Sequence, residues 1–152
     1  MCKKIDPIKV ANYFLYRANG RLTPLQVQKL VYYAHGWSLA IFCTGLINER
    51  IEVWPYGPVV KSVYYKFKKH GANFIGHNGK NDHTDFSSDQ CALLDQVWKA
   101  YGHYTGIELS KLTHKPDSPW DIAYRNHQSF IKDDLINDYF QNLIKRRSEI
   151  GQ

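Results

Sequence analysis

At 152 residues, with 43% apolar and 22% charged side chains, the chain suits one globular domain, which excludes general disorder. A formal charge of +6 and a pI near 9.2 favour anionic partners, yet the cations are dispersed. The densest groups are Lys66, Lys68 and Lys69, then Lys145, Arg146 and Arg147; they read as solvated helix ends rather than a nucleic-acid stripe.

The N-terminal MCKKIDPIK has basic residues but no apolar run after them, so no signal peptide is expected. Asp6-Pro7 reads as a helix cap and first helical residue, with Ala11, Phe14, Leu15 and Ala18 as one apolar stripe ending at Gly20. Thr23-Pro24-Leu25-Gln26 is a capping box, and Leu22 and Val27 stand at the spacing of a hydrophobic staple. The second helix is expected to run to about Thr44, with Gly45 closing it in a left-handed conformation. From Leu30 to Asn48 it carries no Lys, Arg, Asp or Glu. That length approaches a membrane span, but its tyrosines, histidine, serine, threonine and glycines favour a helix buried among others.

Residues 46–54, LINERIEVW, switch to a period near two, which predicts a strand or short hairpin with Ile51 and Val53 opposite Glu52 and Trp54. Pro58 is expected to open a third helix, with Val60, Val63, Tyr64 and Phe67 inward, Lys61, Lys66, Lys68 and Lys69 outward, and Gly71 as its stop. Residues 72–86 are turn-rich, and HNGK suits the tip of a β-hairpin. Ser87 to Gln90 and Thr105 to Glu108 are further capping boxes, and Ser118-Pro119 caps a short helix. The last helix is predicted from about Asp133 to Arg147, burying Leu135, Ile136, Tyr139, Phe140, Leu143 and Ile144. The fold class that follows is mainly α: a compact bundle of six to seven helices with one small β-hairpin element, in one domain over 1–152.

Chemistry is sparse. Cys2, Cys43 and Cys91 form no CxxC pair or disulfide framework; a reducing cytoplasm fits, with Cys43 and Cys91 as small buried hydrophobes. His77 and His83, with Asp82 and Asp85, lie off zinc-ligand spacing, so no metal is expected. There is no phosphate cradle, GxSxG or HExxH, so no cofactor and no catalytic residue is expected. Thr113, His114 and Asp117 sit in one turn, where such side chains usually satisfy the backbone. His35 reads as a hydrogen-bonded core histidine.

Three blocks occur in order across residues 25–123: LQVQKLVYYAHGWSLA, ERIEVWPYGPVVKSVYYKFKKHG and ELSKLTHKPDSPWDIA. Together they resemble the Panacea domain, the SocA-like antitoxin family, also found in phage-associated bacterial proteins. The resemblance implies a helical, cytoplasmic, non-enzymatic antitoxin that binds and neutralises a toxin encoded beside it. One family member also resembles an adaptor that delivers its toxin to a Clp-type protease. Motif positions carried over are Gln28, Lys29, Trp54, Tyr56, Gly57, Pro58, Thr113, His114, Pro119 and Trp120, in structural or binding roles. The partner-binding face is expected at Lys61, Tyr65 and Lys68 with Trp54 and Tyr56. The alternative suggested by charge is a nucleic-acid-binding regulator of phage or plasmid origin.

Overall fold

Five of the helix starts among the described residues are set by side chains that accept the first free backbone amides. A computed structural model describes residues 3–80 and 84–150, with side chains through residue 147. In it Asp6 caps α1 (Pro7–Arg17), and Thr23 and Gln26 form a reciprocal capping box at the start of α2 (Pro24–Phe42). The same device opens α4 (Ser88–Tyr101) and α5 (Gly106–Thr113), while Ser118 caps α6 (Pro119–Arg125). Each cap contributes about 0.5–2 kcal/mol. A short α3 (Lys61–Phe67) with a 3-10 turn (Lys68–His70), and a long α7 (Asp133–Ile150), complete the helices.

Helix α2 is the axis of the fold. Every residue from Val27 to Ala40 is buried, and α1, α3, α4, α5 and α7 all pack against it. This accounts for the absence of Lys, Arg, Asp and Glu from Leu30 to the end of the helix, and no described helix is long and apolar enough to cross a membrane. Phe140 of α7 lies against α2 at Gly36, where any side chain would collide with its ring. Tyrosines fill much of the interior: Trp37 Nε1 donates to the Tyr101 hydroxyl at 2.9 Å, and the Tyr33 ring stacks on Tyr101 at 4.2 Å. Burial pushes the Tyr32 and Tyr33 phenols well above their ordinary values. His35 is the core histidine the sequence suggests. Its Nε2 donates to Asp133 Oδ1 at 3.0 Å and its Nδ1 accepts from Leu46 N at 3.2 Å, joining α2, the following loop and α7.

The β element is larger than expected. Strands β1 (Ile51–Trp54) and β2 (Gly57–Val59) form the hairpin, and β3 (Phe130–Ile131) adds a third antiparallel strand on the other side of β1. Pro58 does not open α3; it lies in the edge strand β2, opposite Val53. A proline is tolerated there because Val53 spends its N–H on Ser129 O at 2.9 Å, so the pair needs no amide from Pro58. Helix α3 therefore begins only at Lys61, and Tyr64 turns outward rather than inward.

Other expectations are also corrected. HNGK is not a hairpin: residues 71–80 form no strand. His77 Nδ1 accepts from Gly79 N and Asn78 Oδ1 from Lys80 N, so side chains take the amides a ladder would use. Cys43, not Gly45, supplies the left-handed residue that ends α2, at φ 59°, and it is exposed. Cys91 is half-buried, and Cys2 lies outside the described residues. Helix α7 runs on to Ile150; Ile136 and Phe140 are fully buried, whereas Leu135, Tyr139, Leu143 and Ile144 are only partly so.

Candidate functional site

Pro55 and Tyr56 form the two-residue tip between Trp54 and Gly57, so the WPYGPV stretch is the hairpin turn and its return strand. The return strand has an open edge, and α2 closes it with side chains. Gln28 Oε1 accepts from Val60 N at 2.7 Å while Gln28 Nε2 donates to Val60 O at 3.1 Å. One residue on, Lys29 Nζ donates to Pro58 O at 3.0 Å. Gly57 has φ 117°, and a β-carbon there would lie 2.8 Å from Lys29 Nζ and 3.1 Å from Thr113 Oγ1. Only glycine suits that position, on both counts.

Helices α5 and α6 pack against the hairpin. Trp120 Nε1 donates to Trp54 O at 2.8 Å, and its ring packs on His114 at 4.0 Å and on Tyr124 at 4.7 Å. Thr113 Oγ1 donates to Ser110 O, as does His114 Nδ1, and Ser118 Oγ donates to Thr113 O. Pro119 is buried as the first residue of α6. Asp117 pairs with Arg125 rather than with His114. Thr113, His114 and Asp117 thus serve the backbone and an ion pair, and do not assemble a hydroxyl, base and carboxylate relay.

Between the hairpin and helices α2, α3 and α5 lies a groove of about 730 Å³. Trp54, Tyr56, Tyr64, Leu25 and Ile107 line it, together with the exposed Lys68 and Lys111. Lys29 and His114 also line it. Trp54 is half-buried; its Nε1 donates to Glu52 and Tyr64 packs edge-on against its ring at 4.8 Å. Tyr64 meets Tyr65 at 5.3 Å, and Lys68 Nζ sits 4.9 Å from the Tyr65 ring centre. Tyr56 is 78% exposed, Ile107 67% and Tyr65 52%.

The expected partner-binding residues are thus brought together unequally. Trp54, Tyr56 and Lys68 line the groove; Tyr65 borders it through Tyr64 and Lys68; Lys61 is exposed on the first turn of α3 but outside the groove. Of the motif positions, Gln28, Lys29 and His114 reach the groove, while Gly57, Pro58, Thr113, Pro119 and Trp120 are buried around it. Leu25, Tyr64, Ile107 and Lys111 are groove residues that the sequence reading missed. The 107-to-111 spacing on a helix whose Leu109 and Thr113 face inward was the available signal.

Lys29 is the electrostatic oddity of the site. It is 1% exposed, and burial pulls its ammonium down to about 7 from an ordinary lysine value near 10.5. No group of three His, Cys, Asp or Glu side chains able to hold a metal occurs among the described residues, which exclude Asp82 and His83.

A family model described as "Antitoxin SocA-like, Panacea domain" matches residues 27–121, a span that begins just before Gln28 and ends just after Trp120. The chain is also 30% identical over 133 residues to "Antitoxin SocA" from Caulobacter vibrioides, covering 79% of this chain and 71% of that protein. No solved structure matches.

Proposed function

The chain belongs to the SocA-like Panacea antitoxin family, and from that premise we propose that it neutralises a neighbouring-gene toxin by binding it directly, without catalysis. The observation that carries this reading is the row of contacting side chains Trp54, Tyr64, Tyr65 and Lys68, with the exposed Tyr56 at the hairpin tip lining the same groove. Aromatic rings with a wet edge are the usual anchors of protein interfaces. Here Trp54 and Tyr56 stand on a hairpin pinned by Gln28, Lys29 and Trp120, and Tyr64 and Tyr65 on the helix that follows it, so little conformational freedom is left to lose on binding. Lys61 lies on the same helix and extends the basic flank of this face. Delivery of the bound toxin to a Clp-type protease is an added step that the family resemblance suggests; it would shorten the toxin's lifetime in cells.

The test is co-expression. The product of the adjacent gene should be toxic alone, harmless with this chain, and recovered with it as a complex. That complex should survive physiological salt, because a largely apolar interface responds weakly to ionic strength. The competing reading is a nucleic-acid-binding regulator, motivated by the +6 charge. Phosphate contacts weaken steeply and linearly in log salt. Sequence-specific duplex binding at physiological salt, with no rescue of the neighbouring toxin, would replace the antitoxin reading.

A further inference from the structure

Among the described residues, Lys29 is the only Lys, Arg, Asp or Glu that is buried. Buried charges are normally paired, because removing an ion from water is expensive unless an opposite charge replaces the solvent. Lys29 has no such partner. Its one hydrogen bond is to the Pro58 carbonyl, and the ion pairs among the described residues all involve other side chains. Two of the three ammonium donors are left over. The neighbouring Thr113 and His114 side chains are hydrogen-bonded to Ser110 O and form no hydrogen bond with Lys29.

The side chain borders the groove, and the groove has one electrostatic sign. The lysines Lys29, Lys68 and Lys111 line it, and neither Asp nor Glu does. Its remaining walls are apolar or aromatic, chiefly Trp54, Tyr64, Leu25 and Ile107. A volume of about 730 Å³ falls within the roughly 300–1,000 Å³ of small-molecule sites, which combine such walls with a few placed polar groups.

We propose that this groove is a binding site for a small organic acid with an apolar or aromatic body and a single carboxylate. The carboxylate pairs with Lys29 at the base, and the body lies against Trp54, Tyr64, Leu25 and Ile107. The exposed cations Lys68 and Lys111 draw the anion in. This site goes beyond toxin docking and does not depend on it, because it is measured on the isolated chain.

Indole-3-butyrate, 1-naphthaleneacetate and decanoate, each beside its neutral amide, are suitable probes for calorimetry and for NMR of the full chain. The acids should bind saturably at one site per chain, shifting Trp54, Tyr64 and Ile107 resonances, and the amides about tenfold or more weakly, roughly 1.4 kcal/mol. Lys29→Met should bring the acids down to the level of the amides. Ile107→Glu provides a second variant that keeps the fold, since Ile107 is exposed; its added carboxylate should abolish acid binding. Equal affinity for acids and amides, or no saturable binding of any acid, overturns the proposal. So does binding of a blocked acidic peptide in the groove with none of the free acids, which would assign it to a protein partner instead.

Discussion

The Gln28 side chain replaces a neighbouring strand for Val60: it accepts the Val60 amide at 2.7 Å and donates to the Val60 carbonyl at 3.1 Å. Both backbone groups are buried with it at the junction of β2 and α3. Gln28→Ala leaves a buried donor and a buried acceptor without partners, at about 1–3 kcal/mol each. The expected result is a loss of roughly 2–6 kcal/mol in denaturant unfolding. It should be accompanied by faster hydrogen exchange at Val60 and in β2. A loss confined to a few tenths would mean that water replaces both bonds.

Lys29 gives the fold a pH dependence of predictable sign. Its native value near 7 lies below the ordinary 10.5, so between those values the unfolded chain binds more protons than the native one. Stability from this group therefore rises as pH rises through that window, by up to about 1.4 kcal/mol per pH unit. Below about pH 7 both states are protonated and the full penalty of the buried charge is present. Lys29→Met removes the titration. Measured against the native chain, it should look better at pH 6 than at pH 9, by roughly 2–3 kcal/mol. A difference that does not change between those pH values would place the native lysine at its ordinary value.

Much of the architecture was legible because it is set locally. Asp6, Thr23, Ser87, Thr105 and Ser118 each bond a backbone amide two or three residues ahead, so a short window of sequence holds the whole interaction. Strand β3 was not legible: it has two residues, and its partners Ile51 and Glu52 lie almost 80 positions away. Pro58 misled for a related reason. Its local preference suits a helix start, but an unneeded amide at a sheet edge suits it equally, and only the long-range pairing decides. In the site, the motif residues were visible, yet the burial of Lys29 was not. Lysine is normally a surface residue, and its entry into the core depends on the Pro58 carbonyl, 29 positions on.

Trp54 and Trp120 should separate structure from binding. Trp120 is 7% exposed and anchors the hairpin through Trp54 O, so Trp120→Ala should destabilise by about 3–5 kcal/mol. The indole of Trp54 is only half-buried and rests on Tyr64, so Trp54→Ala should cost less, roughly 1–2 kcal/mol. Its larger effect is expected on the toxin complex, about 2 kcal/mol or more of affinity. Thermal melts and titration of both variants decide. If Trp54→Ala lost stability like Trp120→Ala and bound normally, the hairpin face would be structural alone.

The basic flank offers the cleanest test of where a toxin sits. Lys61 and Lys68 are exposed on one side of α3 and its 3-10 extension, and neither forms an ion pair among the described residues. Replacing both by glutamate therefore removes little from the fold, because exposed charges contribute only about 0–1 kcal/mol. The substitution reverses four units of charge beside Tyr65 and Trp54. If an acidic toxin surface meets this face, the double variant should melt like the native chain and fail to rescue growth. Its association rate should fall more than its dissociation rate rises, and added salt should narrow the gap, since such charges act mainly by steering encounter. Native-like rescue by the folded double variant would move the docking surface off α3. The complementary pair Lys145→Glu and Arg146→Glu on α7 controls for net charge: it makes the same four-unit change on a different helix. Loss of rescue in both pairs alike would assign the effect to overall charge rather than to this face.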